Sequence, residues 1–215
     1  MKIGLFGGTF NPFYNGHIGI IEHVKKAYGL ETIYLIPSAT PPHKPNTDLA
    51  PANDRFDMVR QGIQGREGFI VSDKELIRKG PSFSIDTIED FKTDLGKEAD
   101  LFLLMGSDAF FDIPTWRQKD RIFDSVKIIV MLRGHFENHD AFISFIDEHI
   151  SKGYIFNEQD NRFFHEKKQT IYLCRVPRID ISSTMIRERV KNGKSIEGLV
   201  PADVLKIIHE KELYQ

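Results

Sequence analysis

Residues 3–17 read IGLFGGTFNPFYNGH. The alternation of Ile3 and Leu5 predicts a short strand. Gly7 and Gly8 predict a turn at which the main chain can approach a ligand, and Gly16-His17 opens an amphipathic helix carrying Ile18, Ile21, Val24 and Lys25. A strand that turns through glycine into a helix start gathers unpaired N–H groups and the positive end of the helix dipole, which is an anion site built from backbone. Taken singly, a Gly-Gly pair after a strand is commonly only a tight turn, and a histidine at a helix start only a cap or a surface residue. Together they point to phosphate chemistry.

The spacing Gly7-Gly8-Thr9-Phe10-Asn11-Pro12 followed by Gly16-His17 resembles the signature of the adenylyl- and cytidylyltransferase superfamily, whose pattern ends in His-x-Gly-His or Thr-x-Gly-His. The G-x-G-x-x-G spacing of dinucleotide-binding folds is absent. Where the superfamily carries its first His or Thr, this chain has Tyr14. A tyrosine hydroxyl donates a hydrogen bond but brings no positive charge, and its ring needs more room.

Working outward from that stretch, strand-like and helical runs alternate. The first helix is closed by Gly29, and a strand follows at 32–36. After a proline-rich loop, a helix begins near Asn53 with Phe56, Val59 and Ile63 on one face. A strand at 69–71 precedes a helix that Ser84 would cap and Gly96 would end. The runs 101–105 and 126–132 are continuously apolar, as expected of strands buried on both faces. The stretch 136–168 differs in character, with a helical pattern at 140–150 and a polar surface loop at 157–168. A strand at 170–174 and two helices, 183–191 and one opened by Pro201, finish the chain. This order predicts an α/β fold, a Rossmann-like doubly wound parallel sheet with helices on both faces and a small C-terminal helical part. It is read as one domain over 1–215, with a core of about 1–180 and the helical part from about 181.

Composition agrees with one globular unit: 215 residues, 40% apolar, 28% charged. A formal net charge of −2 argues against a nucleic-acid partner. The basic cluster Arg187, Arg189, Lys191 and Lys194 suits one anionic ligand better than a polymer. With Cys174 as the one cysteine, an intrachain disulfide and a thiolate metal cluster are excluded, so a cytoplasmic location is expected and Cys174 itself reads as a small buried hydrophobe. No apolar run approaches the roughly 18 residues of a membrane span, so no membrane partner is expected. A homo-oligomer is compatible with the sequence, which does not fix the number of copies.

Four further segments carry the resemblance into one branch of the superfamily. They are Pro41-Pro42-His43-Lys44, the run 80–87 (GPSFSIDT), Met105-Gly106-Ser107-Asp108 with Trp116 downstream, and the run 181–187 (ISSTMIR). In this order they resemble bacterial nicotinate-nucleotide adenylyltransferases over nearly the whole chain. Each segment also has a chemistry of its own. Small hydroxyl residues at a helix start with Arg187 one turn in supply donors and a planar fork for phosphate oxygens, although a plain N-cap and solvated basic face has the same look. Lys44 sits in a loop stiffened by Pro41, Pro42 and Pro45, as a charge held near a ligand or a surface lysine would. Asp108, after a buried strand, could accept from ribose hydroxyls or cap a helix. Trp116 stands in a polar setting or belongs to the core.

The resemblance implies transfer of AMP from ATP to nicotinate mononucleotide, giving deamido-NAD and pyrophosphate. It implies that His17, Lys44, Arg187 and Tyr14 act in catalysis. Gly7, Gly8, Thr9, Phe10, Gly16, His17, Ser183, Thr184 and Arg187 would bind ATP, while Lys44, Ser84, Gly106, Asp108, Trp116 and Arg117 would bind the mononucleotide. Mg²⁺ would be carried in with ATP. The family's tyrosine after the tryptophan is here Arg117, and its threonine is Ser84; a guanidinium beside the ring favours a carboxylate over an amide unless it points to solvent. Two alternatives stay open: another acceptor such as phosphopantetheine, or a nucleotide-binding paralogue with reduced or lost turnover.

Overall fold

A computed structural model describes residues 1–41, 48–133 and 139–215. Alternation along the strands divides the interior into two cores, one on each face of the sheet. On β1 (Lys2–Gly8), Ile3 and Leu5 face one core and Phe6 the other. The same split separates Leu101, Leu103 and Met105 from Phe102 and Leu104 on β4 (Asp100–Gly106). The first core, behind Phe6, is covered by α1 (Asn15–Tyr28), α2 (Ala52–Gly62), α8 (Ser183–Lys191) and α9 (Ala202–Glu210). The second is covered by α4 (Ser84–Leu95), α5 (Ser107–Phe111), α6 (Lys119–Ser125) and α7 (His139–His149). Ile186 of α8 and Val204 and Ile208 of α9 share the first core with Val24 of α1, and α9 packs against α2.

The remaining strands are β2 (Thr32–Pro37), β3 (Phe69–Val71), β5 (Lys127–Arg133), β6 (Ile155–Asn157), β7 (Arg162–Phe164) and β8 (Ile171–Val176), with a short helix α3 (Lys74–Ile77) after β3. They order as β3-β2-β1-β4-β5-β8-β7-β6, parallel from β3 to β8. The chain winds outward from β1 to β3, then returns and winds the other way from β4. The carboxyl ends of β1 and β4, paired at Phe6↔Leu104, therefore flank the topological switch point where open α/β sheets bind ligands.

Three expectations are corrected. The polar stretch 157–168 is no simple surface loop: β6 and β7 pair antiparallel and add a hairpin to the edge of β8. Only Phe163 of that hairpin is driven fully inward, so its strands are short and carry little apolar alternation. On α2 the inner face is Arg55, Met58 and Val59, while Phe56 is half-buried beneath the Arg60 guanidinium. Elsewhere the predicted breaks stand where the backbone needs them: Gly29 closes α1 with φ +61°, its N–H donating to the Lys25 carbonyl. Ser84 is the first helical residue of α4 rather than its cap, which is Phe83. Cys174 is buried between β8 and α1, and burial pushes its thiol up to about 11. Among the described residues no helix is long and apolar enough to cross a membrane.

Candidate active site

At the switch point lies a cavity of about 650 Å³. One wall is the turn after β1. The Gly8 carbonyl accepts from the Ser38 N–H at 2.9 Å, and the Thr9 carbonyl from Arg55 Nη1 at 2.8 Å. In a trans peptide the next N–H points the opposite way, so the turn directs the N–H groups of Thr9 and Phe10 away from those partners. A Cβ on Gly7 would meet nothing within 4 Å, whereas one on Gly8 would stand 2.9 Å from the Phe10 ring. Gly7 thus keeps space open, and Gly8 makes room for an aromatic neighbour.

His17, in the first turn of α1, lines the cavity from within an aromatic nest. Its ring stacks on Phe13 (5.3 Å between centroids, 5° between planes), meets Phe10 edge-on at 5.2 Å, and lies 3.9 Å from the ring of Tyr14. The Tyr14 backbone N–H donates to His17 Nδ1 at 3.2 Å, and the His17 N–H to the Tyr14 carbonyl at 2.9 Å. With Nδ1 accepting, the proton of the neutral ring sits on Nε2. His17 is thereby a fixed hydrogen-bond donor.

The opposite lip is the start of α8. Ser182 is the true N-cap, its Oγ accepting from the Met185 N–H at 3.1 Å, and Ser183 Oγ donates to the Pro12 carbonyl at 3.1 Å. Arg187 Nη1 donates to the Asn11 carbonyl at 2.8 Å and Nη2 to Thr184 Oγ1 at 3.4 Å. Two residues distant in sequence from the glycine turn are thus fastened to the two residues that follow it, and Ser183, Thr184 and Arg187 all face the cavity.

The third wall comes from β4 and α4. Gly106 ends β4, and Asp108 Oδ1 leans so far back that a Cβ on Gly106 would lie 2.4 Å from it. Trp116, half-buried against the second core, lines the cavity, but its backbone N–H already donates to the Ile113 carbonyl at 3.0 Å and is not available to a ligand. Arg117 is half exposed (49% of its side chain), with its guanidinium 4.8 Å from the Phe83 ring centroid and 3.5 Å from Asp86 Oδ2. Phe83 and Ser84 aim the N-terminal end of α4 into the same space.

The structure therefore brings together Gly7, Gly8, Thr9, Phe10, His17, Ser183, Thr184 and Arg187 on one side, and Ser84, Gly106, Asp108, Trp116 and Arg117 on the other. It leaves two expected residues out of the wall. Tyr14 is buried, with 4% of its surface exposed, and Gly16 is a glycine because a Cβ there would lie 2.4 Å from the Tyr14 ring. Lys44, with Pro42 and His43, lies outside the described residues.

This arrangement of a glycine turn, a histidine at the first helix and an arginine returning from the C-terminal part has relatives. The Cytidylyltransferase-like family model matches residues 5–189. The chain belongs to this family. It is 37% identical over 220 residues to a Desulfatibacillum aliphaticivorans protein named "Probable nicotinate-nucleotide adenylyltransferase", with both chains covered in full. A protein of the same name from Citrifermentans bemidjiense is 36% identical over 214 residues, covering 100% of this chain and 98% of the relative. Among solved structures, Plasmodium falciparum nicotinic acid mononucleotide adenylyltransferase complexed with NaAD superposes with a TM-score of 0.74 at 18% identity, covering 99% of this chain and 97% of that one. At that identity the likeness speaks for the fold.

Several residues that build this site are not evident from sequence. Asn11 is 8% exposed and spends its whole side chain on scaffolding: Nδ2 donates to the Asp48 carbonyl (2.7 Å), and Oδ1 accepts from the Ala50 N–H (3.0 Å) and the Tyr214 hydroxyl (2.8 Å). Arg55, fully buried, donates to the carbonyls of Thr9, Ser38, Ala39 and Ala50. Burial lowers its pKa and pushes that of the Tyr214 phenol up. Asn11 had a signal, its place inside the glycine motif. Arg55, Tyr214 and the buried Glu75 had none, because their partners are carbonyls and hydroxyls brought close only by the fold.

Proposed function

We propose that this chain transfers AMP from ATP to nicotinate mononucleotide, releasing pyrophosphate and deamido-NAD, and that its place is in NAD biosynthesis in the cytoplasm. The observation that carries this reading is the convergence, on one cavity, of a phosphate-type wall (Gly7, His17, Arg187) and an aromatic wall (Trp116, Phe83). The names of the full-length relatives support the acceptor.

A phosphate monoester, whose second pKa is about 6, is mostly dianionic at neutral pH and attacks without a general base. Its oxygen forms a bond to the α-phosphorus of ATP in line with the bond to the β-phosphate, which breaks as pyrophosphate leaves. The protein's task is to hold two polyanions together and to neutralise charge as it grows. His17 Nε2–H, the N–H groups of Thr9 and Phe10, and the free edge of the Arg187 fork are the donors for this. Arg187 keeps one arm on the Asn11 carbonyl, which aims the remainder of the fork. By family resemblance Lys44 adds a charge on the phosphates.

Mg²⁺ would enter with ATP and screen the phosphate charges. Among the described residues no three His, Cys, Asp or Glu side chains converge on one point. Asp108 and Asp112, both lining the cavity, offer the oxygen ligands of an ion that keeps its waters and the phosphates as its main shell.

On the acceptor side, Trp116 supplies a face for the pyridine ring, and the α4 N-terminus at Ser84 supplies backbone donors for its carboxylate. Asp108 is positioned to accept from ribose. Pyrophosphate release measured with ATP, Mg²⁺ and a panel of nicotinate mononucleotide, nicotinamide mononucleotide and phosphopantetheine tests the reading. Fastest release with nicotinate mononucleotide is expected, and equal kcat/KM for the two mononucleotides overturns the acceptor assignment.

A further inference from the structure

Glu75 is a carboxylate with 6% of its surface exposed, on the wall of a cavity that must accept anions. An acid there repels the ligand unless its lone pairs and charge are spent inward. They are. Thr87 Oγ1 donates to Glu75 Oε1 at 2.8 Å, the nearby Ser82 hydroxyl favours the charged form of the same carboxylate, and Arg78 approaches from behind with Nη1 on Thr87 Oγ1 at 3.1 Å. Arg78 is itself paired with Asp90.

Ser82, just ahead of α4, is tied separately to the loop after β2. Ser82 Oγ accepts from the Ala39 N–H at 3.1 Å, and the Ser82 N–H donates to the Thr40 carbonyl at 3.2 Å. Ala39 in turn gives its carbonyl to Arg55, whose guanidinium also holds Thr9 of the glycine turn. Glu75 therefore holds the first turn of α4 through Thr87. The bonds of Ser82 fasten the segment 82–84, which lines the cavity together with Trp116, to the loop after β2.

We infer that Glu75 is a positioning residue of the acceptor wall: through Thr87, in the first turn of α4, it sets the N-terminal end of that helix against Trp116, and so governs affinity for the mononucleotide rather than for ATP. This rests on the acceptor reading proposed above. The side chain is suited to the task because its carbonyl-type oxygen accepts from the Thr87 hydroxyl, which an amide also does and an alkyl side chain does not.

Thr87 gives a clean test, since it is buried and does not line the cavity. Steady-state kinetics on Thr87→Val, Glu75→Gln and Glu75→Ala, with thermal unfolding and calorimetric ATP binding alongside, separate the outcomes. Thr87→Val is expected to raise KM for nicotinate mononucleotide roughly 5- to 10-fold, the scale of one net hydrogen bond, with ATP affinity within about twofold. Glu75→Ala should raise that KM further, and Glu75→Gln should recover most of the loss. An unchanged acceptor KM in Thr87→Val, equal changes for both substrates, or Glu75→Gln as poor as Glu75→Ala would each overturn the inference. If the unaltered enzyme fails to turn over nicotinate mononucleotide, the acceptor reading itself has failed instead.

Discussion

The Tyr14 backbone N–H donates to His17 Nδ1 at 3.2 Å while the two rings lie 3.9 Å apart. The residue that breaks the family motif thus acts on the histidine through its main chain, which any residue supplies, and through a ring packed in the core. Tyr14→Phe is expected to keep kcat within about threefold of the parent, because the phenol lies outside the cavity wall. His17→Ala should cut kcat by about 10²-fold or more, the scale for losing one preorganised donor. A large loss in Tyr14→Phe with the fold intact would return the hydroxyl to the reaction.

The glycines of the motif separate by what each one avoids. Gly7→Ala is expected to fold with an unchanged melting temperature, since its Cβ meets nothing within 4 Å, yet to raise KM for ATP by narrowing the ligand's approach. Gly8→Ala and Gly16→Ala drive a Cβ to 2.9 Å from Phe10 and 2.4 Å from Tyr14. Denaturant unfolding should show each destabilised by about 1–3 kcal/mol, the cost of overpacking. Stable Gly8→Ala or Gly16→Ala proteins with weak ATP binding would reverse this division.

How far the sequence carried the reading follows from the kind of information each element holds. The strand runs 32–36, 101–105 and 126–132 and the helix start at Gly16 were legible because burial imposes a period and turns demand particular residues. The hairpin β6–β7 was not, since two three-residue strands with one inward phenylalanine have no period to detect. In the site, backbone-built parts were legible and side-chain scaffolding was not. Gly7, His17 and Arg187 are marked by type and spacing, whereas Asn11, Arg55, Glu75 and Tyr214 act on carbonyls and hydroxyls that become neighbours only after folding. Tyr14 takes a motif position expected to face ligand, but its ring is buried and is not part of the cavity wall.

Arg55 should behave as a structural cation. Among the described residues it has no carboxylate partner, and it donates instead to four carbonyls from three separate stretches of chain. Arg55→Ala leaves those acceptors unpaired in the interior and is expected to cost about 3 kcal/mol or more in chemical denaturation. Arg55→Lys should recover only part of that, since an ammonium lacks the planar fork. Full stability in Arg55→Lys would show that the charge alone suffices.

Arg187 is tied to Asn11 by one arm of its fork, so geometry and charge can be separated there. Arg187→Lys keeps the charge but cannot hold the Asn11 carbonyl and a phosphate oxygen in one plane. Its kcat is expected to fall nearly as far as that of Arg187→Ala, about 10²-fold, with little change in melting temperature. A lysine variant close to the parent in rate would reduce the residue's role to charge.

Trp116 and Arg117 test the acceptor wall from its other side. Trp116 packs partly on the second core and partly lines the cavity, so Trp116→Ala should lower stability modestly while raising KM for nicotinate mononucleotide well above any change for ATP. Arg117 has its charge matched by Asp86 and its guanidinium over Phe83, which leaves little net attraction for a distant carboxylate. Arg117→Gln is therefore expected to shift the nicotinate-to-nicotinamide preference by only about threefold, with the α4 N-terminus carrying the remainder. Asp86→Asn removes the matching charge and should strengthen the preference for the acid. Both are read from kcat/KM ratios for the two mononucleotides. If Arg117→Gln abolishes the preference, the guanidinium itself, and not the helix end, reads the carboxylate.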